Sequence, residues 1–336
     1  MYDNIFNNTI IDQKIIKNSL KKDILEYQQY IKNNIKQYAD INQKIIDKLQ
    51  TDINKINSNY KAKLYGSRAT NLCLMWSDID IVIYPEKKKD IGRSKDIKKE
   101  EDEFEEIKID FLDKLNMILN NDIVFVEEIK YLNKAKVPII KIKTTSEYNN
   151  TMIDITLQTK DHFGLKCVNL INSFIKEFES LEPLVFPLKT MLKFSELNDP
   201  YNGGLSSYAL ILMIVNFLKL QKKMSKSINI DKIGDLFYDF LFFYGGRKDS
   251  NYIDIDKNTI VNNNTGLVYI SDPLNKNNNV GKASFKFIEV KLIFLMSLQI
   301  LNEPCFCKCH YMEKFNKENI QHNYLIKIFT ALKRGK

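Results

Sequence analysis

The stretch LYGSRATNLCLMWSDIDIVIY, Leu64 to Tyr84, decides the fold. It holds a Gly-Ser pair, a ten-residue spacer, and then Asp78 and Asp80 one residue apart among Ile79, Ile81 and Val82. Alternation of this kind reads as a β-strand, in which residues two apart face the same side. Both carboxylates therefore project together from an apolar strand. Two like charges so close repel each other, and apolar neighbours make their ionisation costly. A divalent cation resolves that conflict, and hard carboxylate oxygens suit Mg²⁺. A bare Asp-x-Asp is also common in solvated surface strands, so the motif needs support from elsewhere.

Upstream, KAKLYGS reads as a strand ending in a glycine turn. Gly66 and Ser67 at such a turn can present backbone N–H groups and a hydroxyl to a phosphate chain. Downstream, TMIDITLQT reads as another apolar strand and carries Asp154, a third acid. Phosphoryl-transfer sites with two metal ions roughly 3.5–4 Å apart need such bridging carboxylates and one more near the attacking oxygen. Two further strands are expected in DIVFVEEIKYLN and KVPIIKIKT, and IDFLDKLNMIL reads as an amphipathic helix.

Outside this α/β segment the texture is helical. Apolar residues recur at spacings of three and four from about Asp12 to Asn57, and again after His162 in five segments. Among these, YALILMIVNFL (Tyr208 to Leu218) is too short to span a bilayer and reads as a buried core helix. The stretch from Gly245 to Gly281, rich in Asn, Asp and Gly, reads as an irregular connection, and one so long implies a function. The expected class is α+β, divided into N-terminal helices (1–57), an α/β domain (58–160) and a helical domain (161–336).

Composition sets the remaining bounds. With 336 residues, 44% hydrophobic, the chain can bury a sizeable core, and its net charge of +8 suits a polyanionic partner without identifying one. The opening MYDNIFNNTIIDQ lacks a basic region followed by an apolar run, so no secretory signal and no membrane span are expected. The five cysteines form no disulfide framework, which suggests a reducing compartment. Three of them crowd into CFCKCH (Cys305 to His310), whose spacing departs from that of structural zinc sites. Neither His162 nor His322 is assigned a role, and the mixed-charge segment after Tyr84 reads as a solvated insertion.

Six motifs occurring in family order now give the chain a resemblance: GSRATNLCLMWSDIDIVIY, AKVPIIKIK, MIDITL, PLKTMLKFSELNDPYNGGLSSYALILMIVNFL, FYGGR and YISDPLNKNNNVGKASF. Together they resemble the DNA polymerase beta-like nucleotidyltransferases, and more closely the poly(A) RNA polymerases of the TRAMP surveillance complex. The resemblance covers about Leu64 to Leu301. It implies a catalytic α/β domain and a helical central domain with a cleft between them, the N-terminal helices packing with the central domain. Asp78, Asp80 and Asp154 would hold two Mg²⁺ or Mn²⁺ ions. Gly66 and Ser67 would touch the triphosphate of ATP, Lys189 and Lys193 its outer phosphates, and Ser207 would add a hydroxyl there. Tyr208 would stack on the base, with Asn278 and Asn279 near its edge. Related uridylyltransferases tend to carry His where this chain has Asn278, which favours ATP. Two departures bear on base choice: Ser271 stands where relatives often have Glu, and Lys282 where they have Arg.

The activity so implied is template-independent addition of AMP to RNA 3′ ends, in nuclear RNA surveillance and processing. No RNA-binding module of its own is visible, so the resemblance brings in a zinc-knuckle RNA-binding protein and an RNA helicase as partners. A terminal uridylyltransferase, a silent scaffold of the same fold and a nucleotide-signal synthase are the alternatives. Without the motif, Lys189 and Lys193 would read as ordinary lysines on an amphipathic helix.

Overall fold

The computed structural model describes residues 13–86, 110–135, 137–159, 162–246, 252–257, 267–302 and 323–334. The Cys305–His310 cluster, His322, Arg247 and residues 87–109 of the charged segment lie outside them. Contacts divide the chain into two compact units: Asn33–Leu170, and Met1–Lys32 together with Ile171–Lys336.

The first unit is built on a five-stranded sheet of order β1-β2-β5-β4-β3. Its strands are β1 (Tyr60–Tyr65), β2 (Ile79–Pro85), β3 (Val126–Leu132), β4 (Ile139–Thr144) and β5 (Met152–Leu157). Only β2 and β5 run parallel; the other neighbours are antiparallel. Alternation then does the sorting. Ile79, Ile81, Ile83, Ile140, Ile142, Ile153, Ile155 and Leu157 share a core. Helix α2 (Ala39–Ile56) covers that core with Ile45, Leu49 and Ile53, and the helix over residues 110–120, α4, with Phe111, Leu112, Leu115 and Leu119. The interleaved residues Asp80, Asp154 and Lys141 consequently face the other side.

This packing corrects one expectation. Residues 1–57 are expected to pack with the central domain, but α2 spends its apolar stripe on the sheet. Only the chain up to Lys32, most of helix α1 (Gln13–Gln37), belongs with the later helices. Similar periodicity in both helices conceals that they bury against different cores.

The second unit joins that part of α1 to α6 (Leu181–Phe194), α7 (Ser207–Lys223), α8 (Ile233–Gly246), α9 (Phe287–Asn302) and α10 (Tyr324–Arg334); helix α5 (Gly164–Glu177) crosses the division. Every residue of α7 from Ala209 to Leu218 is buried, as the apolar run predicts. No helix among the described residues is long and apolar enough to cross a membrane. The stretch from Gly245 to Gly281, read as irregular, contains three short strands: β6 (Tyr252–Ile253), β7 (Tyr269–Asp272) and β8 (Asn275–Asn279). The last two form an antiparallel hairpin.

Helix α10 docks through an acid. The buried Asp23 Oδ2 accepts from the backbone N–H of Tyr324 at 2.6 Å and of Leu325 at 3.4 Å, satisfying donors at the start of that helix. Burial outweighs these bonds and pushes the Asp23 carboxyl up from 3.8 to about 6. The fold therefore favours the protonated form. Its contribution is fully present below 3.8 and is lost as pH rises through 6, by up to about 3 kcal/mol. Asp23→Asn, which keeps the acceptor oxygen, should melt above the wild type at pH 7.5 and converge with it near pH 4. A melting difference independent of pH would contradict this.

Candidate active site

Register places four polar side chains in one row across the first unit's sheet. Tyr65 pairs with Asp80, Asp80 with Asp154, and Asp154 with Lys141, on β1, β2, β5 and β4 respectively. Lys141 Nζ lies 2.6 Å from Asp154 Oδ2. Asp80 is half-buried, whereas Asp78 is exposed and stands just before β2 begins at Ile79, outside the strand ladder. Two of the three expected carboxylates are thus fixed by strand pairing, and the third is delivered by the loop leading into the strand.

Gly66 closes the site from above β1. Its φ is +64°, and a Cβ built there would overlap Asp80 Oδ2 and stand 2.9 Å from Asp80 Cγ. Only glycine lets the turn rest on that carboxylate. Ser67 follows as the second residue of α3 (Gly66–Ala69), half-buried beside it. The hard oxygen donors of Asp80 and Asp154 suit a divalent cation. Among the described residues, no three ligating side chains are already gathered about one point.

A polar layer that the sequence reading missed lies next along the same face. Thr156, two residues past Asp154, has its Oγ1 3.2 Å from His162 Nε2, and the His162 ring meets Tyr65 edge-on at 5.0 Å. Burial lowers the pKa of His162, keeping its ring neutral. Burial likewise raises the pKa of the Tyr65 hydroxyl, the charges of Asp80 and Asp154 adding to the effect. Neutral groups here avoid competing with a cation for the carboxylates. The lone His162 gave no signal in sequence because its partners are remote in the chain.

The second unit gathers most of the remaining predicted residues. Lys189 and Lys193 stand one turn apart on α6, the first buried and the second exposed. Ser206 caps α7, its Oγ accepting from the Ala209 N–H at 3.1 Å, which leaves Ser207 exposed at the helix start. Tyr208 Oη donates to Asp272 Oδ1 at 3.1 Å, and Asn278 Nδ2 donates to Asp272 Oδ2 at 2.9 Å. Asp272 is buried and also accepts from the Leu274 N–H. It therefore joins Tyr208 to the β7–β8 hairpin, a role sequence did not assign. Asn279 differs from its neighbour. Its Oδ1 accepts from the N–H groups of Ile270 and Gly281, and its Nδ2 donates to the Val268 carbonyl. With both ends of the amide engaged by backbone, Asn279 shapes the loop rather than presenting an edge to a base.

Comparison with known proteins bears on the fold. The family described as poly(A) RNA polymerase, mitochondrial-like, central palm domain matches residues 20–176. The polymerase core of TRAMP, an RNA surveillance complex, superposes with a TM-score of 0.64 at 20% identity, covering 89% of this chain and 91% of the other. The Cid1 poly(U) polymerase, solved as a His-to-Asn mutant bound to MgATP, gives 0.64 at 21%, covering 85% and 95%. The fold is that of the polymerase beta-like nucleotidyltransferases.

Curated proteins similar to this chain in sequence include poly(A) RNA polymerases. Poly(A) RNA polymerase cid14 of Schizosaccharomyces pombe is 25% identical over 87% of this chain and 42% of its own length. Trf4-2 of Drosophila melanogaster, described as an inactive poly(A) RNA polymerase, is 25% identical over 81% of this chain and 65% of its own. The chain thus spans less than two thirds of each of these relatives.

Proposed function

We propose that this protein is a template-independent RNA 3′-terminal adenylyltransferase, transferring AMP from ATP to the 3′-hydroxyl of an RNA. One observation carries the choice of base. A carboxylate only accepts hydrogen bonds, so Asp272 holds the donor end of the Asn278 amide, at 2.9 Å. Oδ1 then remains as an acceptor, with the second Nδ2 hydrogen beside it. Adenine offers its exocyclic amine as a donor where uracil offers a carbonyl oxygen, so Oδ1 suits adenine better than uracil. The His-to-Asn poly(U) polymerase bound to MgATP is in line with that pairing.

Two Mg²⁺ or Mn²⁺ ions held by Asp78, Asp80 and Asp154 would lower the pKa of the RNA 3′-hydroxyl and offset charge on the departing pyrophosphate. Asp154 would position the hydroxyl, with Lys141 beside it limiting the repulsion among the three acids. Gly66, Ser67, Lys189, Lys193 and Ser207 would bind the phosphate chain, and Tyr208 would stack on the adenine. RNA would be held chiefly through its phosphates, so binding should weaken with salt. Nuclear RNA surveillance, with a zinc-knuckle RNA-binding protein and an RNA helicase as partners, completes the reading.

Incubation with labelled oligo(A), Mg²⁺ and each nucleoside triphosphate singly tests the activity. Laddering with ATP alone is the expected result. A preference for UTP would overturn the base assignment, and no extension with any nucleotide would favour a silent scaffold such as the inactive relative suggests. The amide argument has its own test. Asp272→Asn can present either end of its amide to Asn278, so the preference for ATP over UTP should fall about tenfold, the worth of one oriented hydrogen bond. An unchanged preference would show that Asp272 does not set the base.

A further inference from the structure

Arg68 directly follows Gly66 and Ser67, yet the residue is only 8% exposed. Its one hydrogen bond among the described residues runs from Nη2 to the Ser77 carbonyl at 2.6 Å, and its guanidinium lies 5.7 Å from the ring centre of Tyr38. Nε and Nη1 are buried without a hydrogen-bond partner among the described residues. A buried cation so thinly compensated is destabilising, a cost that an apolar side chain of similar volume would avoid. Stability alone therefore gives no reason for an arginine here.

The contact it makes does give one. Asp80 is fixed on both sides, by Tyr65 and by Asp154. Asp78 precedes the strand ladder and has no such restraint from it. The loop before it is closed by the Leu72 N–H on the Ser67 carbonyl at 3.0 Å and by the Leu74 N–H on Ser77 Oγ at 2.9 Å. Arg68 grips the peptide carbonyl immediately before Asp78.

We propose that Arg68 is a positioning residue for Asp78, tying the approach to that carboxylate to the Gly66–Ser67 turn so that metal ligand and phosphate-binding turn keep one fixed spacing. The proposal rests on the nucleotidyltransferase reading of the carboxylates. It extends that reading to a residue which touches neither metal nor nucleotide.

Titration of the full chain with Mn²⁺ alone, followed by the spectroscopic signal of bound Mn²⁺, tests it on wild type, Arg68→Met, Arg68→Lys and Asp78→Ala. Arg68→Met should melt cooperatively and bind Mn²⁺ about tenfold more weakly, the equivalent of one lost charged hydrogen bond. Extension assays should show a matching rise in the half-saturating Mg²⁺ concentration, recovery of kcat in excess metal, and an unchanged KM for RNA. Tight wild-type binding that Arg68→Met leaves unaltered overturns the proposal alone. Wild-type binding no tighter than that of Asp78→Ala overturns the carboxylate reading and the proposal with it. Should Arg68→Met fail to fold, Arg68→Lys decides by the same titration: weaker Mn²⁺ binding supports the positioning role, and wild-type binding rejects it.

Discussion

Alanine at Asp78, Asp80 or Asp154 is expected to lower nucleotide addition by roughly a thousandfold or more, because several kcal/mol of transition-state stabilisation passes through the metal ions they hold. Stability should respond differently at each position. Asp80 faces Asp154 across the sheet, and removing one of two like charges relieves repulsion. Asp80→Ala should therefore melt at or above the wild-type temperature in metal-free buffer. Asp154 is ion-paired with Lys141, whose side chain is 39% exposed, so Asp154→Ala should cost less than about 1 kcal/mol. Wild type should gain stability on adding Mn²⁺ and the alanine variants should gain little, since a ligand stabilises only the state that binds it. Retained activity in Asp80→Ala, or an equal Mn²⁺ response in all variants, would remove the carboxylates from the mechanism.

The β2 strand was legible because strand alternation is a local property. Read with a period of two, it points Ile79, Ile81 and Ile83 into the core and Asp80 to the other face. Asp78, expected in the same strand, stands instead in the loop before it. The apolar α7 was legible for the same reason. What escaped depends on register between remote segments. Nothing in KVPIIKIKT shows that Lys141 will face Asp154; that follows from the pairing of β4 with β5. His162 likewise acquires meaning only where Thr156 and Tyr65 meet it. The β7–β8 hairpin was hidden by its composition, since Asn and Asp are depleted in strands and each strand is short. The two asparagines there looked equivalent in sequence. Their hydrogen bonds separate them, one held by a carboxylate and one absorbed by the loop.

Gly66 offers the sharpest separation of backbone strain from site geometry. A side chain at φ +64° costs an ordinary L-residue about 1–2 kcal/mol, so Gly66→Ala should lower the melting temperature by several degrees. The added Cβ would also overlap Asp80 Oδ2, and the carboxylate would have to move aside. A displacement of about 1 Å in a positioned catalytic group costs on the order of a hundredfold in rate. Asparagine tolerates the left-handed region better than alanine but carries the same Cβ. Gly66→Asn should then recover part of the stability and none of the activity. That split would assign the rate loss to the Asp80 contact, because strain and collision respond to different atoms. If Gly66→Asn restores both together, the turn matters through its backbone conformation and the close approach to Asp80 has no catalytic weight. If Gly66→Ala extends RNA at the wild-type rate, the carboxylate has room that this geometry denies it, and the glycine is kept for some reason other than the site.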